Sequence, residues 1–195
     1  MKTEQTMTIR GEKSIDEALA MTEKLGLDYG LEKKPVLHLR LLAEELFGMK
    51  RGISGDGAAE YKIIAEDKKF ELHLKPAVDM TDELREKFIA VSSSKKNAAA
   101  VGITGKIRVL IADAMLSFKE AAPYASMSAS SYVGNNGAVW IMSAYRTEVM
   151  KNVNKNKEAN EAWDELEKSV LAKVADDIKV SVLGNDVEII IYKAF

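Results

Sequence analysis

The sequence predicts an α+β protein: a two-layer sandwich in which a mixed, mostly antiparallel sheet carries helices on one face. Two observations lead to this fold class. Segments with an apolar residue at every second position, typical of half-buried strands, occur towards both ends of the chain. Other segments repeat apolar residues every three or four positions, which is the spacing of an amphipathic helix. Strands and helices in this order favour helices packed on a largely antiparallel sheet.

The N-terminal part of the chain is predicted to form a strand, two helices and a hairpin. Ser14 and Glu17 make a capping-box pattern, in which the serine covers a free helix amide and the glutamate returns the bond. Pro35 suits the first turn of the second helix, since its missing N–H would have no partner there. The predicted elements are a strand over 6–10, helices over 14–26 and 35–52, and strands over 61–65 and 70–74.

The middle of the chain has a less regular pattern. Thr81 is expected to cap a short helix, and the polar residues 92–97 are expected to be exposed. Apolar residues at helical spacing predict a longer helix over 104–118. Residues 123–137 are rich in Ser, Ala, Gly and Asn, and this composition predicts a mobile loop. Residues 138–145 fit either a strand or a helix, and a strand is favoured.

The C-terminal segment ends in the clearest hairpin of the sequence. A polar linker over 152–160 is expected before a single helix whose apolar face runs from Ala159 to Val174. Two alternating runs, over 178–182 and 187–191, then flank a short Gly-Asn-Asp turn. These two runs are the strand predictions with the strongest pattern.

Composition sets bounds on the function. The 195 residues include 28 basic and 30 acidic side chains, and a net charge of −2 lacks the attraction that a general nucleic-acid binder needs. With no cysteine and only two histidines, His38 and His73, we expect no disulfide and no metal site. No apolar run is long enough for a signal peptide or a membrane span, so a cytoplasmic protein is expected. No repeat or boundary divides the sequence, which predicts a single domain over 1–195.

Three stretches of the sequence carry a likeness to a known family: residues 41–49, 70–78 and 166–192. They resemble, in order, the N-box helix, the strand leading to the Asp-x-Gly adenine-binding motif, and the closing helix and hairpin of the GHKL or Bergerat-fold ATPase domain. The compact domain of bacterial anti-sigma factor serine kinases is the most similar form. The resemblance implies a histidine-kinase-like ATPase fold with an enlarged, lid-like insertion at about 79–157.

The resemblance also implies roles for individual residues. Glu44 takes the place of the catalytic glutamate, and Gly48 stands where the family has its Mg²⁺-binding asparagine. Lys75 or Pro76 stands where the adenine-reading aspartate belongs. A glycine has no side-chain oxygen to bind Mg²⁺, and neither lysine nor proline can accept the adenine amino proton. The implied binding of ATP and Mg²⁺ is therefore weak or lost.

Residues 102–106 look like a phosphate-binding loop. Gly102 and Gly105 could expose backbone amides to an anion at the start of a helix, and Lys106 could add positive charge. The Walker pattern itself fails, because Ala100 replaces its first glycine and Ile107 follows the lysine. Two interpretations stay open: a flexible glycine turn leading into an ordinary helix, or a lid contact to phosphate.

The leading hypothesis is a cytoplasmic regulatory protein that binds a partner protein through its enlarged middle region. A homodimer is compatible with the sequence, and neither a nucleic-acid partner nor a membrane partner is expected. The first alternative is an active ATP-binding protein, either an anti-sigma-type serine kinase or a small ATPase. The second is a small-molecule sensor that uses the vacated nucleotide pocket.

Overall fold

The computed structural model describes residues 2–78, 81, 86, 90, 102–120, 131–134 and 137–195. Within these residues the strands are β1 (Lys2–Ile9), β2 (Ala59–Glu66), β3 (Lys69–Pro76), β4 (Ser131–Gly134), β5 (Gly137–Ile141), β6 (Asp177–Leu183) and β7 (Asp186–Ala194). The helices are α1 (Glu12–Asp28), α2 (Lys33–Ser54), α3 (Gly102–Glu120), α4 (Met142–Asn152), α5 (Lys157–Lys168) and α6 (Val170–Val174).

The strands form one seven-stranded sheet in the order β1-β2-β3-β7-β6-β5-β4. Every pairing between the described strands is antiparallel, so the prediction of a mixed sheet is wrong in this respect. The connections explain the difference. Hairpins join β2 to β3 and β6 to β7, whereas two packed helices, α1 and α2, join β1 to β2, and two packed helices, α4 and α5, followed by the short α6, join β5 to β6. A single crossover helix would have produced a parallel pair, but a pair of helices returns the chain antiparallel.

The helices cover one face of this sheet, and the predicted α+β sandwich is confirmed. Alternate residues of each central strand are buried, as in β2, where Tyr61, Ile63 and Ala65 join the core. Buried residues from all six helices belong to the same core. The opposite face, here called the far face, carries the other set of strand residues. The largest fully buried side chains are those of Ile9, Leu25, Leu39, Leu42, Leu46, Phe47, Met49, Ile53, Tyr61, Ile63 and Phe70.

The same order of elements occurs twice in the chain. The N-terminal unit consists of β1, α1, α2, β2 and β3; the C-terminal unit consists of β5, α4, α5 with α6, β6 and β7. The two units meet along β3 and β7, the central pair of strands. The residue pattern has no internal repeat, as predicted, but the topology does repeat. Alternating apolar residues are enough to form a strand, so two units can share an order of elements without sharing the same residues.

An approximate two-fold axis relates the two units. Both hairpins turn through two residues, and aligning them at their turns superposes Glu71 on Glu188 and His73 on Ile190. In the ladder between β3 and β7, His73 is paired with Ile190 itself. The axis therefore passes between these two residues, at the middle of the sheet.

Several predicted boundaries differ from those of the structure because of local capping. Helix α1 begins at Glu12 with Gly11 as its N-cap, and the Ser14 hydroxyl accepts hydrogen bonds from the Arg10 and Gly11 amides. Ser14 thus lies in the first turn and does not begin the helix. The single C-terminal helix is divided at Ser169, whose hydroxyl accepts from the Ala172 amide and starts α6.

The middle of the chain also departs from the predictions. Residues 131–134 form β4, so this part of the predicted mobile loop is a strand paired with β5. Residues 138–145 are divided between β5 and α4, and the polar linker shortens to 153–156 because α4 and α5 extend into it. The predicted helix over 104–118 is confirmed as α3. The predictions around Thr81, for 92–97 and for the 123–130 part of the mobile loop fall mostly or wholly outside the described residues.

Candidate functional site

Glu44 and Gly48 lie one turn apart on the solvent side of α2. The Glu44 side chain is 43% exposed, and its Oε1 accepts a hydrogen bond from Arg40 Nε at 2.8 Å. Gly48 is exposed, and no atom lies within 4 Å of the position that a Cβ would take. No described residue therefore forms a pocket wall at Gly48, and the carboxylate is held by an exposed ion pair.

The other candidates lie elsewhere. Lys75 is on the far face of the sheet, half exposed, with Nζ 3.5 Å from Glu188 Oε1. Gly102, Gly105 and Lys106 are in the first turns of α3, so a flexible glycine turn is wrong for these residues. The three α3 residues thus lie together at the start of one helix, and α3 packs against α2 through Arg108 at Gly52, one turn beyond Gly48.

Lys106 belongs to a group of polar side chains between α3, α4 and α5, here called the interior polar cluster. Its Nζ lies over the ring of Tyr145 on α4, 5.0 Å from the ring centre. Tyr145 is buried, and Glu148 follows it one turn along the same helix. Glu165 on α5 is the acidic side chain that acts on Lys106 electrostatically. The members are Lys106, Tyr145, Glu148 and Glu165.

Burial dominates the electrostatics of this cluster. It lowers the pKa of Lys106, and the negative charge of Glu165 offsets that effect only in part. Burial and the nearby Glu148 carboxylate raise the pKa of Tyr145 to about 12, so the phenol stays protonated at neutral pH. The Tyr145 hydroxyl and Glu148 Oε2 are buried and have no hydrogen-bond partner among the residues that the structure describes. Such unpaired groups are costly, so this region has capacity for further polar contacts.

An open groove lies between α4, α5 and α6, on the surface of the C-terminal unit. It encloses about 530 Å³, and we call it the Trp163 groove. The Arg146 guanidinium donates a hydrogen bond from Nη2 to the carbonyl oxygen of Ala172 at 2.6 Å, which ties α4 to α6. The residues lining the groove are Arg146, Trp163, Leu166, Glu167, Ala172 and Lys173.

The groove combines apolar surface with charge. Trp163 is half-buried, and Leu166 and Ala172 are buried beside it, which gives the groove an apolar floor. Arg146 and Lys173 bring two positive charges to its walls against one negative charge from Glu167, so the lining is positive on balance. Such a site can take an apolar side chain together with a carboxylate, since guanidinium groups bind carboxylates with strong, directed hydrogen bonds.

Sequence reasoning missed this groove because it treated 159–174 as one continuous helix. In a straight helix Trp163 and Leu166 share the predicted apolar face, and Ala172 would lie on the opposite side of the helix from Trp163. The break at Ser169 turns α6 away and opens the space between the two helices. Ser169 was the available signal, because serine is a preferred N-cap residue.

No helix in the described part of the chain is both long and apolar enough to span a bilayer. Among the same residues, no group of three or more His, Asp or Glu side chains could hold a metal ion. The likeness to the Bergerat fold stays a prediction: no protein-family model matches this chain, and no curated protein matches its sequence.

Proposed function

We propose that this chain is a cytoplasmic regulatory protein that binds an acidic segment of a partner protein in the Trp163 groove and does not hydrolyse ATP. The observation that carries the proposal is the groove itself, where a half-buried tryptophan lies beside an arginine. Trp and Arg are enriched among the residues that dominate the binding energy of protein interfaces.

The occupant follows from the chemistry of the lining. The floor formed by Trp163, Leu166 and Ala172 fits an apolar partner side chain, whose burial supplies affinity. The bond to Ala172 orients the Arg146 guanidinium and leaves further N–H groups for a carboxylate, because arginine has five donors. Lys173 adds a second positive charge, so an acidic residue next to an apolar one is the expected partner motif.

The placement of the ATPase-like positions supports a non-catalytic role. Glu44 lies on the exposed side of α2, whereas Lys75 lies on the far face of the sheet. A nucleotide site of the implied kind needs both near one pocket. The net charge of −2 favours a protein partner over nucleic acid. A homodimer, an active ATPase and a small-molecule sensor are alternatives that the experiment below distinguishes.

The test is a selection from a random-peptide display library on the immobilised full chain, followed by titration of the enriched peptides. We expect enrichment of acidic residues beside apolar ones. Lys173→Glu should weaken binding of those peptides by about tenfold, which corresponds to one interfacial charge contact. Lys168→Glu is the matched control, because it makes the same charge change on an exposed residue outside the groove.

Three results would overturn the proposal. Enriched peptides that bind both variants equally would place their site elsewhere. Peptides without an acidic bias would contradict the predicted motif. Isothermal titration with MgATP, run beside a turnover assay, covers the alternatives: tight binding with turnover abolished by Glu44→Gln would establish the ATPase, and tight binding without turnover would favour a nucleotide sensor. Self-association in sedimentation experiments that peptides disrupt would identify a homodimer.

A further inference from the structure

His73 lies on the far face of the sheet, where the two units join, and its side chain contacts a glutamate from each unit. Its side chain is 10% exposed. Nε2 lies 3.1 Å from Glu71 Oε2 on its own strand, and Nδ1 lies 3.2 Å from Glu188 Oε1 on β7. Because Glu71 and Glu188 are equivalent under the approximate two-fold axis, the imidazole connects matching positions of the two units.

This geometry depends on the protonation state of the ring. A neutral imidazole carries one N–H and one lone pair, so it can donate to only one of the two carboxylates. At the other nitrogen a lone pair would then face a carboxylate oxygen with no proton between them. The imidazolium donates at both nitrogens and satisfies both acids. Since both nitrogens are engaged, neither is free to act as a base towards a substrate.

The neighbouring charges act on the bridge in opposite directions: Glu71 and Glu188 favour a positive ring, whereas Lys62 and Lys75 favour the ionised carboxylates and oppose a positive ring. Lys75 lies 3.5 Å from Glu188 Oε1, and Lys62 is paired with His73 from β2. Burial acts to raise the pKa of Glu188, but the His73 hydrogen bond and the charge of Lys75 outweigh it, so the pKa is lowered. Burial and nearby carboxylates raise the pKa of Tyr192, which keeps that phenol neutral. The titratable and charged groups around His73 are Lys62, Glu71, Lys75, Glu188 and Tyr192.

We propose that His73, Glu71 and Glu188 form a pH-dependent joint between the two units, closed when the imidazole is protonated and loosened when the proton is lost. The joint also has an acid limit. Because the pKa of Glu188 is lowered in the folded chain, its contribution is present above the ordinary glutamate pKa and is lost as pH falls through the lowered value. The closed state therefore requires an ionised Glu188 together with a protonated imidazole.

The test measures hydrogen exchange of the β3 and β7 amides in the full chain, corrected for the pH dependence of chemical exchange. Between about pH 5.5 and about pH 8.5, where histidine titrates, we expect protection to fall by about tenfold, which matches one hydrogen bond to a charged group. Glu71→Gln should abolish this fall, because a glutamine amide can donate to the lone pair of the neutral imidazole. Glu66→Gln, an exposed glutamate on the same face, is the matched control and should keep it.

Ring nitrogen chemical shifts provide a second measurement. They are recorded in the His38→Gln variant, which leaves His73 as the one histidine of the sequence. At about pH 5.5 both His73 nitrogens should carry protons. A neutral ring at that pH would overturn the joint, as would equal pH dependence of exchange in Glu71→Gln and Glu66→Gln.

Discussion

The two units share one order of elements and differ in how their helices are built. Nine residues of α2 are buried, against three each in α4 and α5. Helices α1 and α2 also run for 17 and 22 residues, whereas α4 and α5 have 11 and 12. Since burial of apolar area is the main stabilising contribution, the N-terminal unit supplies the larger share of the core.

Buried tyrosines show the same contrast. In the N-terminal unit the Tyr61 hydroxyl lies 2.7 Å from Thr22 Oγ1, so both polar groups are paired inside the core. In the C-terminal unit the Tyr145 hydroxyl has no partner within the described part of the chain, and an open groove lies beside its helix. The same order of elements is thus compatible with a closed core in one unit and with an open groove in the other, and the lengths and packing of the helices account for the difference.

The largest expected effect compares one leucine from each unit. Leu42→Ala in α2 should lower the free energy of unfolding by about 2–5 kcal/mol, because a fully enclosed side chain leaves a cavity. Leu166→Ala in α5 should cost less, since the groove beside Leu166 lets solvent reach the deleted volume. Chemical denaturation measures both, with the exposed Leu37→Ala as control. An equal or larger loss for Leu166→Ala would contradict the contrast between the units.

A smaller effect concerns how α4 begins. Asp177 on β6 accepts two hydrogen bonds from Ser143 in the first turn of α4. The Ser143 amide donates to Oδ1 at 3.0 Å, and the Ser143 hydroxyl donates to Oδ2 at 2.7 Å. Asp177→Ala should lower the free energy of unfolding by about 1–2 kcal/mol, as loss of a helix cap does. The matched control is Asp164→Ala, an exposed aspartate of α5. If both variants unfold alike, the C-terminal unit does not need this contact.

The smallest effect has the opposite sign. Gly48 lies on the exposed side of α2, away from both ends of the helix, with open space at its Cβ position. Gly48→Ala should therefore raise the free energy of unfolding by about 0.5–1 kcal/mol. At Gly26 in α1 the added Cβ would lie 3.1 Å from Leu39 Cδ1 and 3.3 Å from Val36 Cγ2. Gly26→Ala should therefore gain less or lose stability. Thermal unfolding of both variants tests this, and a loss at Gly48 would indicate a packed neighbour there.

Much of the fold could be predicted, because hydrophobic periodicity depends on local sequence. The hairpins around Asp67 and Gly184 and the helices around Leu19 and Leu42 follow from alternation and helical spacing alone. Strand β4 was not predicted, since the surrounding stretch 123–137 has a loop-like composition, and its four residues form a strand by pairing with β5. Tertiary pairing overrides weak local preference in such segments.

The candidate site shows the same limit more strongly. Lys106 was found from its sequence context, but its neighbours Tyr145 and Glu165 come from other helices and carry no motif. Glu44 and Lys75 were predicted to line one pocket, but they lie on opposite sides of the sheet. Glu44 is on α2, whereas Lys75 is on the far face of the sheet. The Trp163 groove depends on where α6 turns, which a periodic pattern does not specify.

The sequence by itself determined the α+β class, the helix-bearing face and the two terminal hairpins, because each depends on the spacing of apolar residues along a short segment. Only the tertiary structure decided the antiparallel order of all seven strands, the approximate two-fold axis and the bridge at His73. Those features depend on contacts between residues far apart in the chain. His73 and Glu188 are separated by 115 positions and meet only because β3 pairs with β7.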